Sequence, residues 1–110
     1  MIEDNAITGN GLAGVTIHSH APGAFVGGNR ILNNLIGTNN IGGDPDVGPL
    51  PDMATTGILV WSAATPITVT ISGNTIFGNW DGIWLGHVVS APGASARNTF
   101  WAISTHVYKA

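Results

Sequence analysis

A six-residue pattern, Asn-x-Ile-x-x-Asn, returns three times along the chain: Asn5-Ala6-Ile7-Thr8-Gly9-Asn10, Asn29-Arg30-Ile31-Leu32-Asn33-Asn34 and Asn74-Thr75-Ile76-Phe77-Gly78-Asn79. A degenerate copy begins at Asn98-Thr99-Phe100. From Asn5 to Asn29, Asn29 to Asn74 and Asn74 to Asn98 the steps are 24, 45 and 24 residues. A second marker keeps the same order: Gly14-Val15-Thr16-Ile17, Gly57-Ile58-Leu59-Val60 and Gly82-Ile83-Trp84-Leu85, each followed by a proline turn at Pro22, Pro66 or Pro92. Two markers in one order define a repeat, and a repeat sets the architecture before any single residue does. The long middle step holds an insertion, over about residues 35–55, just ahead of Gly57.

Each repeat contains only short alternating runs of β-branched and apolar residues, broken by Gly, Asn and Pro, so none supports a helix of useful length. With 8% charged residues, the chain also lacks the material of a coiled coil, a helical bundle or a charged disordered tail. The expected fold is all-β: a parallel β-helix, or solenoid, of about three to four coils with one long loop insertion. In it, each strand pairs with its equivalent one coil away. Asn and Gly accept the left-handed backbone of tight corners at least cost. Stacked Asn side chains can also satisfy one another's amides along the axis. A ladder of Asn5, Asn29, Asn74 and Asn98 is therefore expected, wrapped around a continuous core of Ile, Val and Leu that no single coil could bury. One domain spans residues 1–110, with residues 99–110 capping its C-terminal end.

The stretch Ile71-Ser72-Gly73-Asn74-Thr75-Ile76-Phe77-Gly78-Asn79-Trp80-Asp81-Gly82-Ile83-Trp84-Leu85 resembles the repeat of the right-handed parallel β-helix (pectin-lyase-like) superfamily, and the resemblance covers essentially residues 2–100. In that family's strand labels, residues 15–17, 58–60 and 83–85 correspond to the first sheet. Residues 25–27, 67–72 and 95–97 correspond to the second sheet, and 30–32 and 75–77 to the third. The resemblance is specific for fold and not for activity, since the superfamily spans polysaccharide lyases, hydrolases, epimerases, adhesins and non-catalytic members.

Alternation in the first sheet sends Val15, Ile17, Ile58, Val60, Ile83 and Leu85 inward and leaves Thr16, Leu59 and Trp84 in a row outside. Leu59, Trp84 and the adjacent Trp61 then form an apolar stripe. An exposed Trp is a platform for the C–H face of a sugar ring, and resembling enzymes bind polysaccharide on this face. The same stripe equally suits a cover by the insertion or contact with a second chain.

Three of the six acids, Asp44, Asp46 and Asp52, lie in the insertion, and Asp81 stands at the corresponding turn of the next coil. Clustered carboxylates suit a hard cation such as Ca²⁺, or can work as acid and base on a glycosidic bond. In a Gly/Pro loop they equally serve as solvated turn residues. His18 and His20, two residues apart, are a conceivable zinc pair without an evident third ligand. The resembling lyases use a basic residue on the first-sheet face together with Ca²⁺. Here Arg30 and Arg97 align elsewhere, which argues against a lyase.

The formal net charge of −3 provides no basic face for nucleic acid, and the longest apolar run, Gly57–Trp61, is too short to span a bilayer as a helix. The chain opens on Glu3 and Asp4 with no apolar signal region after them; relatives by resemblance are often secreted. The repeat begins directly at Ile2, so the chain is expected to be either a fragment of a longer β-helix or a self-contained protein that covers its open coil ends by associating, since open edges recruit further strands. The resulting expectation is a non-catalytic repeat protein that self-associates as a homo-oligomer (dimer), through its coil ends or the first-sheet stripe. The alternative is a module that binds or processes polysaccharide.

Overall fold

The computed structural model describes residues 1–10, 13–19, 26–37 and 56–110, Val26 by its backbone alone. Its strands are β1 (Ile2–Glu3), β2 (Ala6–Thr8), β3 (Val15–Ser19), β4 (Val26–Leu32), β5 (Leu35–Gly37), β6 (Thr56–Ser62), β7 (Ile67–Ser72), β8 (Thr75–Phe77), β9 (Asp81–Leu85), β10 (Val89–Ser90), β11 (Thr99–Trp101) and β12 (Thr105–Lys109), with one short helix, α1 (Ala94–Arg97). They form three four-stranded sheets, ordered β1-β4-β7-β10, β2-β5-β8-β11 and β3-β6-β9-β12. Every pairing is parallel. The chain therefore visits the three sheets in turn and pairs each strand with the one three strands later. Keeping the labels above, β3, β6, β9 and β12 make the first sheet, the set from β1 the second and the set from β2 the third.

Register explains the recurrence of aliphatic side chains. In the third sheet Ile7, Ile36, Ile76 and Phe100 lie in one row. In the first, Val15, Ile58, Ile83 and Val107 do so, and in the second Ile2, Ile31 and Ile71. These rows converge on one apolar core, closed in the middle by Ile31, Ile36, Ile58, Ile71, Ile76 and Ile83 and half-open at its ends through Ile2, Ile7, Ile17, Phe100 and Val107. Like over like buries area that one isolated layer would leave in water.

Two elements depart from the expected strand assignments. Residues 30–32 belong to β4 in the second sheet, where Arg30 pairs with Thr70 and Ile31 with Ile71; the third-sheet strand of that passage is β5. Residues 95–97 form α1, not a strand. Gly93 precedes it with φ 72°, and Ala94-Ser95-Ala96-Arg97 combines helix-tolerant residues without the alternation that a strand needs.

The corners use left-handed backbone. Before the third sheet, Asp4, Asn33 and Gly73 all have positive φ (58°, 55° and 72°), and after it Gly9, Gly78 and Ala102 do (71°, 67° and 51°). Ala102 holds with a Cβ what Gly9 and Gly78 hold without one, and an L-residue pays about 1–2 kcal/mol there. Ala102→Gly is expected to raise stability by about 0.5–1 kcal/mol once the extra freedom of the unfolded glycine is subtracted. Urea unfolding should show a higher midpoint at an unchanged slope; a lower midpoint would refute the assignment of strain to this corner.

Candidate functional site

The outer row of the first sheet has the expected register: Thr16 beside Leu59, Leu59 beside Trp84, and Trp84 beside Tyr108. Its solvent exposure does not follow. Leu59 is 0% and Trp84 5% exposed. With Ala13 they make a second apolar cluster, separate from the main core, and half-buried Trp61 packs against it. Tyr108 stacks on Trp84 with ring centroids 5.9 Å apart. Leu59 and Trp84 are therefore withdrawn from water in this conformation and offer no open sugar platform. The indole N–H of Trp84 is buried without a hydrogen-bond acceptor among the described residues.

Of the charged candidates, Asp81 and His18 fall among the described residues. Asp81 opens β9, buried, in register with Thr56 on one side and Thr105 on the other. Asp44, Asp46, Asp52 and His20 lie outside the described residues, so the carboxylate cluster and the histidine pair have no described geometry. His18 is exposed on β3, opposite Trp61. Among the described residues no group of three His, Cys, Asp or Glu side chains is placed to hold a metal ion. Arg30 lies on β4 and Arg97 on α1, both exposed.

The most ordered polar feature is the asparagine ladder, and its members are Asn5, Asn34, Asn74 and Asn98. Asn5 donates from its backbone N–H (2.9 Å) and its Nδ2 (3.2 Å) to Asn34 Oδ1. Asn34 donates likewise to Asn74 Oδ1 at 2.8 and 3.0 Å, and Asn74 to Asn98 Oδ1 at 2.9 Å from both nitrogens. Each Nδ2 also reaches a carbonyl of the preceding passage: Asn34 to Ile2 O, Asn74 to Ile31 O and Asn98 to Ile71 O. The rungs are thus 29, 40 and 24 residues apart.

Asn29 is not a rung. It lies within β4 opposite Val69, next to the bulge between Val26 and Asn29, and its Nδ2 is buried without a partner among the described residues. The sequence offers two Asn-x-Ile frames five residues apart, Asn29-Arg30-Ile31 and Asn34-Leu35-Ile36, each preceded by a residue with positive φ, Gly28 or Asn33. Only the second frame lets Ile31 stack on Ile71 and Ile36 on Ile76, burying both. The Asn33-Asn34 doublet was the available signal for the rung, since its first member suits the left-handed corner and its second the ladder.

Aromatic rings follow the same axial logic. On the outer face of the third sheet Gly37, Phe77 and Trp101 are in register. The Phe77 ring occupies the space that a Cβ on Gly37 would fill, and Trp101 stacks on Phe77 nearly parallel to it, with ring centroids 4.5 Å apart. Within the last passage, Phe100 of β11 and His106 of β12 stack at 4.6 Å. Among the described residues, Trp101 (54% exposed), Trp80 (49%) and Tyr108 (45%) are the exposed large aromatics.

The two ends of the stack differ. At the end made by β10, β11 and β12, α1 closes the ladder, because Asn98 Nδ2 donates to Ala94 O at 2.8 Å. There the Lys109 ammonium binds the carbonyls of Gly86 and Val89. At the end made by β1, β2 and β3, no described group donates to Asn5 Oδ1. No family model, curated protein or solved structure matches this chain.

Proposed function

We propose that the three sheets are the faces of one right-handed parallel β-helix of the pectin-lyase-like kind, and that the chain is a non-catalytic structural module that self-associates. Cyclic visiting of three parallel sheets supports the helical path. Its hand follows from the strong preference of parallel strand–crossover–strand connections for the right-handed sense, in about 98% of cases. The observation that carries the functional reading is where the specific side chains are used. The asparagines, Phe77 with Trp101, and Trp84 with Tyr108 all make contacts from one passage to the next. Such contacts build length and stiffness along an axis. Half-buried Ile2, Ile7 and Ile17 at one end leave apolar area that association would cover. Light scattering over a concentration series should give a mass above that of a single 11.3 kDa chain. A single-chain mass at every concentration overturns the reading.

A second reading, binding of polysaccharide, is favoured by the exposed rings of Trp101 and Trp80 instead of the stripe at Trp61 and Trp84. Under it, tryptophan fluorescence shifts on titration with polyuronates or neutral glycans, with Ca²⁺ testing the acidic insertion. Under the structural reading the fluorescence stays unchanged.

A further inference from the structure

We infer that the passage through β4 and β5 is a two-state element: it has an alternative register in which Asn29 replaces Asn34 as the ladder rung, and the Phe77 ring over Gly37 holds it in the observed one. The competing runs are Gly28-Asn29-Arg30-Ile31-Leu32 and Asn33-Asn34-Leu35-Ile36-Gly37, five residues apart. Gly28 has φ 76°, close to the 72° of Gly73 ahead of the Asn74 rung, so the Asn29 run already carries the left-handed corner that precedes a rung. Its spacing fits as well. From the glycine opening a first-sheet strand to the next rung, Gly57 to Asn74 is 17 residues and Gly82 to Asn98 is 16; Gly14 to Asn29 is 15, but Gly14 to Asn34 is 20. The observed register absorbs part of that surplus in the irregularity between Val26 and Asn29. It also leaves Asn29 Nδ2 buried with no acceptor among the described residues, which is the costly way to treat a donor.

Sliding this passage by five residues sets Val26 opposite Ile71, Arg30 opposite Thr75, Ile31 opposite Ile76 and Leu32 opposite Phe77. An odd slip would turn an unbroken strand inside out, but here each run restarts at its own left-handed residue. Val26 and Ile31 then stand where Ile31 and Ile36 stand now, so burial favours the observed register by little more than roughly one methylene. The larger obstacle is steric. Leu32 would enter the row of Gly37, where the Phe77 ring, stacked on Trp101, fills the space of even a Cβ. Opening this lock moves five residues from the connection ahead of β4 into the insertion ahead of β6, which carries Asp44, Asp46 and Asp52. Two packings of one sequence so nearly balanced make a switch, biased by whatever displaces the ring.

Disulfide equilibria in a glutathione buffer read both registers in the full 110-residue chain, which has no cysteine of its own. Leu35→Cys with Thr75→Cys reports the observed register, in which the two residues are opposite each other. Arg30→Cys with Thr75→Cys reports the alternative, because Arg30 now stands opposite Thr70, five residues before Thr75, and a disulfide needs Cα atoms within about 7 Å. Leu32→Gly gives the Asn29 run the glycine it lacks and leaves Phe77 and Trp101 in place. It should raise the equilibrium constant of the disulfide between positions 30 and 75 by about tenfold or more, as a population shift of that size requires. Asn29→Ala added to Leu32→Gly should cancel the gain, since it removes the substitute rung. Phe77→Ala, which deletes the ring, serves in the same way if Leu32→Gly melts early. A constant that neither Leu32→Gly nor Phe77→Ala raises overturns the alternative register. So does a gain that survives Asn29→Ala, which would report general loosening and not a ladder re-formed on Asn29.

Discussion

Asn74→Ala is expected to lower the stability of the fold by on the order of 4 kcal/mol, because a ladder rung in the interior cannot be replaced by water. Asn74 is 1% exposed. Its Oδ1 holds both nitrogens of Asn34, and its Nδ2 serves Ile31 O and Asn98 Oδ1. Alanine leaves the Asn34 amide and the Ile31 carbonyl buried without these partners, and each such loss costs about 1–3 kcal/mol. The terminal rung Asn5 is exposed and makes fewer buried contacts, so Asn5→Ala should cost less than about 1 kcal/mol. Chemical denaturation of the two variants side by side provides the check. Equal losses would mean that the ladder decorates the corner without holding it.

Trp84→Ala should cost about 3–5 kcal/mol, the range for emptying a large aromatic site in a packed interior. The indole lies on the outer side of its sheet, yet it is almost as inaccessible as the core, between Leu59 and Tyr108 in register. Trp84→Phe should be far milder, about 1–2 kcal/mol, since it keeps the ring contact and deletes an N–H that has no acceptor among the described residues. A solvent-facing binding platform behaves otherwise: alanine there changes stability by no more than about 0.5 kcal/mol and acts on ligand affinity instead. Thermal unfolding of the two variants separates these roles, and a negligible effect of Trp84→Ala would return the residue to the surface.

The candidate site was legible in the sequence only in part. The register of Thr16, Leu59 and Trp84 follows from strand alternation, because side chains two apart must share a face. Whether that face meets water does not follow, because alternation says which way a side chain points and not what lies above it. Trp101 and Phe77 illustrate the converse. Their stacking needs Gly37 two strands away, a contact across 40 residues of chain for Phe77 that no local window contains.

What the sequence determined by itself was the class of fold and its principle of stability: Asn, Gly and β-branched residues recurring at intervals demand short parallel strands stacked like over like, because no helix or lone sheet can use them. Which asparagine fills the second rung was decided only in three dimensions. Asn29 and Asn34 carry the same local signature, and the choice fell to the arrangement that buries Ile31 and Ile36 together. Local backbone preference was degenerate there, and the area removed from water by the whole stack broke the tie.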